Sequence, residues 1–153
     1  MLKWIELAWA ENSDELKRKL GAVSYHSYSD LFKLAIEVVL NPYIKDNTLL
    51  DTLNADRITV IDDGYYQGTQ IFIVPTTAYQ PLEGDYYWTS VWYGSCSGCD
   101  ALMAANDYKR KTDRIQAWNL LCLHMLQGLS RLNGDSSQDE DPYYTEPKME
   151  NGR

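Results

Sequence analysis

Basic charge, cysteine and long apolar runs are what this sequence is short of. Its 153 residues hold 14 Lys and Arg against 22 Asp and Glu, a formal charge of −8. A nucleic-acid groove binder needs clustered basic side chains for its phosphate contacts, so that partner class is not expected. Binding to an anionic membrane needs the same cations and is not expected either. No apolar run reaches the ~18 residues of a membrane-spanning helix. The opening stretch MLKWIELAWAENSDELK lacks a full apolar segment and a small-residue cleavage site, so no secretory signal is expected. Cysteines are three, Cys96, Cys99 and Cys122. An odd count without a signal suits a reducing cytoplasm.

What is present suffices for one domain: 44% of the residues are hydrophobic. The charge is unevenly placed. Residues 133–153 hold six acids against two bases, a net of −4, and are poor in aliphatic side chains. They read as a flexible acidic tail that cannot bury enough to offset its ordering entropy, with Tyr143 and Tyr144 as a docking alternative. Residues 1–132 read as a single α+β domain.

The N-terminal stretch Leu2–Leu20 leans helical, with Ser13 as a possible restart and Gly21 as its end. In SYSDLFKLAIEVVLNP, Ser29 is the expected N-cap. Leu31, Leu34, Ala35 and Val38 share one face, and Asn41-Pro42 is the expected stop. The period then changes. Arg57–Ile61 and Thr69–Val74 flank Asp62-Asp63-Gly64 and read as a hairpin. Asp85–Tyr93 adds a third strand, giving a three-stranded antiparallel meander packed against helices. Asp100–Asp107 reads as a short helix and Asp113–Leu132 as a long one ending at Asn133-Gly134. Its apolar stripe is Ile115, Trp118, Cys122, Met125, Leu129 and Leu132, widened by Leu121, Leu123 and Leu126.

The loop Gly94-Ser95-Cys96-Ser97-Gly98-Cys99-Asp100 lies between a strand and a helix and supports four readings. Cys96-x-x-Cys99 at a helix start favours thiolate, the chemistry of dithiol redox proteins, although the parallel βαβ context of the thioredoxin-like enzymes is missing. The same pair supplies two of the four ligands of a structural zinc site, with Cys122, His26 and His124 as the remaining candidates and no second knuckle. Ser95, Cys96, Ser97, Gly98, Cys99 and Asp100 form a candidate anion nest that lacks the lysine of a phosphate-binding loop. The fourth reading is structural: a tight turn capped by hydroxyls and Asp100, its cysteines acting as small hydrophobes. No metal or cofactor is expected.

Asp62 and Asp63 are neighbours on a strand and point apart, so they serve a turn rather than a shared proton. No Ser–His–Asp spacing supports catalysis; His124 reads as a helix-edge histidine and His26 as an exposed loop residue. The aromatics say more. In DYYWTSVWY, Tyr87, Thr89, Val91 and Tyr93 share one face, and Tyr86, Trp88, Ser90 and Trp92 the other. A sheet covered by helices on one side only exposes the second set. Tyr and Trp dominate protein interfaces and also stack on bases. Tyr86, Trp88 and Trp92, with Tyr65 and Tyr66 of the hairpin, are therefore the candidate partner-binding residues.

The blocks ITVIDDGYYQGTQIFIVP, YQPLEGDYYWTSVWYGSCSGCDAL and WNLLCLHMLQGL resemble a family of small bacteriophage and prophage proteins with no assigned catalytic role. The resemblance covers about residues 56–130, and YGSCSGCD is its most specific string. It implies context rather than chemistry. Small accessory phage proteins bind and modulate host enzymes or anti-phage defence proteins, or sequester nucleotides. The expectation is a non-enzymatic, cytoplasmic binding protein of counter-defence type, with nucleotide binding or a Cys-x-x-Cys thiol or zinc role as alternatives.

Overall fold

Lys3–Leu20 forms one uninterrupted helix, α1, in the computed structural model, which describes residues 2–132. The acidic tail and its Tyr143 and Tyr144 lie outside the described residues. Trp4, Ile5, Ala8, Leu16 and Leu20 of α1 recur at helical spacing and are buried. Ser13 does not restart the helix. Lys17, Arg18 and Lys19 sit in the last turn, where the helix dipole favours cations.

The second helical body departs from expectation at both ends. Its N-cap is Ser27, not Ser29. The Ser27 side chain accepts from Asp30 N–H, and Asp30 accepts from Ser27 N–H, a reciprocal capping box. Helix α2 (Tyr28–Leu34) then passes through a π-helical stretch (Ala35–Leu40) into α3 (Asn41–Asn47) without a break. Asn41-Pro42 is therefore not a stop. Asn41 N–H donates five residues back to Ile36 O, and Pro42 falls in the first turn of α3, where an N–H is dispensable. The side chain of Asn12 donates to Val39 O in the widened turn at 3.0 Å. The Asn41 amide is used elsewhere: it donates to Leu53 O and accepts from Leu53 N–H, at 2.9 and 2.8 Å. Leu53 in turn bridges to Thr76. The helix thus anchors the path into the sheet. Its buried stripe is wider than the sequence reading, taking in Phe32, Ile36, Val39 and Leu40.

The sheet is antiparallel with strand order β1-β2-β3-β4. β1 is Thr59–Asp62, β2 Gly68–Pro75 and β3 Tyr86–Tyr93. It has four strands rather than three. The long helix α5 covers Lys111–Gln127, following the short α4 (Ala101–Asp107). It ends at Gly128 and not at Asn133-Gly134. Gly128 N–H closes on His124 O, Thr89 Oγ1 donates to Met125 O at 2.7 Å, and Leu129 turns back into the core. Ser130–Arg131 then pairs with β3 as β4, Tyr87 opposite Arg131 and Trp88 opposite Ser130. Strand pairing wins there because it satisfies backbone groups on the open edge of β3. Leu132, expected on the helical stripe, is 44% exposed beyond β4.

One core joins the layers. Phe72, Val74 and Tyr87 of the sheet pack with the apolar faces of α1, residues 28–47 and α5. The Phe32 and Phe72 rings meet at 5.5 Å between centroids. His26 belongs to this core and is not exposed. Its Nε2 lies 2.9 Å from Leu20 O, and its ring meets Trp118 edge-on. Among the described residues no helix is long and apolar enough to cross a membrane.

Candidate interaction face and thiol loop

Strand register decides what lies on the sheet surface away from the helices. Phe72 stands opposite Thr89 and Val74 opposite Tyr87, all buried. The alternate residues therefore point outward. On that face Ile61 pairs with Ile71 and Ile71 with Ser90; Thr59 pairs with Ile73 and Ile73 with Trp88; Thr69 pairs with Trp92. Ile71, Ile73, Tyr86 and Trp88 are half-buried, while Ile61 and Trp92 remain 47% and 55% exposed. None of these six belongs to the apolar residues packed on the core. The result is a partly exposed apolar band across three strands, on the face opposite Phe72, Val74 and Tyr87. The predicted Tyr86, Trp88 and Trp92 do share this face. Its three isoleucines went unnoticed in the sequence reading, because Ile71 and Ile73 join it only through the register of β2 on β3, and Ile61 through that of β1 on β2.

Tyr65 and Tyr66 sit on the turn between β1 and β2, 88% and 74% exposed, with their rings edge to face. This turn explains the IDDG and QGT strings. Asp62 Oδ1 accepts from Gly64 N–H, and Asp63 Oδ1 accepts from Thr69 N–H at 2.7 Å. Gly64 and Gly68 pack backbone to backbone: a Cβ on Gly68 would stand 2.6 Å from Gly64 Cα. Tyr93 hydroxyl donates to Asp62 Oδ1 at 2.6 Å, tying the turn to the end of β3. That bond, with those from Gly64 and Gln70, holds the Asp62 carboxyl below the usual carboxylate range. The same bond, aided by desolvation, pushes the Tyr93 phenol up to about 12.

The chain segment that carries β1, β2 and β3 holds charge of one sign. No Lys or Arg occurs between Arg57 and Lys109, whereas Asp62, Asp63, Glu83, Asp85, Asp100 and Asp107 fall within that stretch. Arg131 of β4 belongs to the helix-facing side, over the Tyr87 ring, with its guanidinium donating to Gly84 O. A basic gap in the sequence was the signal that could have marked the region.

The thiol loop leaves the end of β3. Gly94 has no room for a side chain: a Cβ would lie 2.8 Å from Cys99 Sγ and 2.7 Å from Cys99 O. Asp100 is buried and organises the segment as the N-cap of α4. Its Oδ1 accepts from Leu102 N–H, Met103 N–H and the Tyr28 hydroxyl, and its Oδ2 accepts from Gly94 N–H. Cys96 N–H donates to Cys99 Sγ at 3.0 Å, and Ser97 Oγ donates to Asp107 Oδ2. A phosphate reading of Ser95–Asp100 needs open amides, but Cys96 N–H is given to Cys99 Sγ and the N–H groups of Cys99 and Asp100 are given to Cys96 O.

Cys96 and Cys99 are both exposed, with sulfurs 2.6 Å apart. The Cys96 thiol and the N–H groups of Cys96 and Ser95 hold Cys99 below the ordinary thiol range. Cys122 is the opposite case: buried in α5 with its thiol toward Leu31 O, its ionisation pushed far up by desolvation. The structure does not bring it, or His26, to the loop. Among the described residues no three His, Cys, Asp or Glu side chains gather as metal ligands. His124 is exposed and lines a small cleft of about 280 Å³ with Tyr28, Val91, Trp92, Ala101 and Leu121.

No protein-family model, curated protein or solved structure matches the chain in comparison.

Proposed function

We propose that the chain is a binding protein whose open sheet face docks on a protein surface combining apolar side chains with lysine or arginine. The observation that carries this reading is the partly exposed band of Ile61, Ile71, Ile73, Trp88 and Trp92 within a stretch that has carboxylates and no base. Monomeric surfaces seldom leave contiguous aromatic and branched aliphatic side chains in water, and burying them in an interface releases that cost. Exposed carboxylates of the same stretch steer the encounter toward a basic partner and disfavour acidic ones. Tyr65 and Tyr66 extend the contact at the hairpin tip. The phage-protein resemblance gives the setting: a small accessory protein in the bacterial cytoplasm that occupies a basic surface of a host or defence protein and so modulates it.

The test compares the wild type with a Trp88→Ala/Trp92→Ala variant as bait in bacterial lysate, with circular dichroism confirming that both fold. The wild type should retain a basic protein whose retention falls as salt rises, and the variant should bind that purified protein at least about thirtyfold more weakly. Equal binding by the two baits would remove the face from the function.

A further inference from the structure

Outside the proposed docking face, the loop joining β3 to α4 holds a second, independent arrangement. Two exposed cysteines are presented together by a segment whose geometry is set on every side. Gly94 makes room for Cys99, Asp100 pins the loop to Tyr28 and to Gly94 N–H, and Cys96 N–H points at Cys99 Sγ. The sulfurs stand 2.6 Å apart. A disulfide at about 2.05 Å needs only a small closing of that gap. Buried structural cysteines look different, as Cys122 does.

We infer that Cys96 and Cys99 are a redox-active dithiol that reduces disulfides by thiol–disulfide exchange, with Cys99 as the attacking sulfur. The oxidant is a disulfide R–S–S–R′, carried by a small thiol compound or a protein. Cys99 thiolate attacks one sulfur, forming the Cys99–S–S–R bond and breaking R–S–S–R′. The leaving R′–S⁻ takes a proton from water. Cys96 then gives its proton to water and attacks Cys99 Sγ, forming the internal disulfide and expelling R–S⁻, which is protonated in turn. Two thiols are oxidised and one disulfide is reduced to two thiols. The N–H of Cys96 favours Cys99 as the first nucleophile because it stabilises a thiolate there.

The experiment uses the full chain, reduced and then exposed to oxidised glutathione at pH 7, with intact mass and peptide mapping as readouts. The wild type should lose two hydrogens, carry no glutathione, and keep Cys122 free. Cys96→Ser should stop at a stable glutathione adduct on Cys99. Cys99→Ser should form its adduct on Cys96 about threefold more slowly, since thiolate fraction and nucleophilicity partly offset each other. A wild type that stays reduced, or that accumulates glutathione on either cysteine, would overturn the dithiol; equal rates for the two variants would overturn the role of Cys99. Both serine variants replace exposed atoms, and circular dichroism checks that they fold. Binding through the sheet face is unaffected by either outcome.

Discussion

The helical part of the chain and its strand part are built to different ends. α1, residues 28–47 and α5 turn their apolar residues inward, and most fully buried side chains come from them. β1 buries none of its four residues, β3 buries only Tyr87 and Thr89 on one face, and β2 buries Phe72 and Val74 on that face and Pro75 at its end. The helices also hold both signs of charge, whereas residues 58–108 hold only carboxylates. The contrast teaches that apolar content does not by itself report a core. Ile5 and Ile61 are the same side chain, yet one is fully buried and the other nearly half exposed. The helical half spends its hydrophobic residues on stability, and the open face leaves its own to be buried by a partner.

Substitutions can break or sharpen this contrast. The largest effect is expected in the helical core, where Trp118→Ala removes a fully buried indole that packs on His26 and donates to Asn106. It should cost about 3–5 kcal/mol in urea denaturation. The joint between the halves comes next. Asp100→Ala leaves the Tyr28 hydroxyl and the N–H groups of Gly94, Leu102 and Met103 without their acceptor. A loss of about 3 kcal/mol is expected by the same measurement. A cost as small as that of a surface change would mean that the thiol loop is not held by this carboxylate.

The smallest effect belongs to the strand half and is read by titration. Tyr93 is raised to about 12 chiefly by its hydrogen bond to Asp62. A phenol whose folded value lies above the unfolded one, about 10, adds stability that is fully present below that unfolded value. The contribution is lost as pH rises through the folded value. For Asp62 the sign reverses: its lowered value adds stability present above about pH 4, lost as the pH falls through the folded value. Asp62→Asn should bring the Tyr93 titration, followed by NMR, back toward the ordinary tyrosine range with little change in melting temperature. An unmoved Tyr93 would show that the turn is not tied to β3 through this bond.

Local pattern determined much of this protein. The hairpin, the third strand, the two faces of DYYWTSVWY and the α4 cap at Asp100 follow from turn residues and side-chain alternation, which act over a few residues. The same short range explains the errors. Ser27 against Ser29 was settled by the reciprocal bond with Asp30. Pro42 stays helical because it falls in the first turn of α3, directly after the π-helical stretch. The α5 helix stops early because β3 offers Ser130 and Arg131 an edge, a partner about forty residues away. His26 looked like a loop histidine until Leu20 O and Trp118 closed around it. Composition and alternation thus determined which residues are able to form an aromatic face and a Cys-x-x-Cys turn. Tertiary structure alone decided that helices cover one side of the sheet, that three isoleucines join the tryptophans, and that the two exposed sulfurs meet. Register and packing join residues far apart in the chain, and no local pattern carries that information.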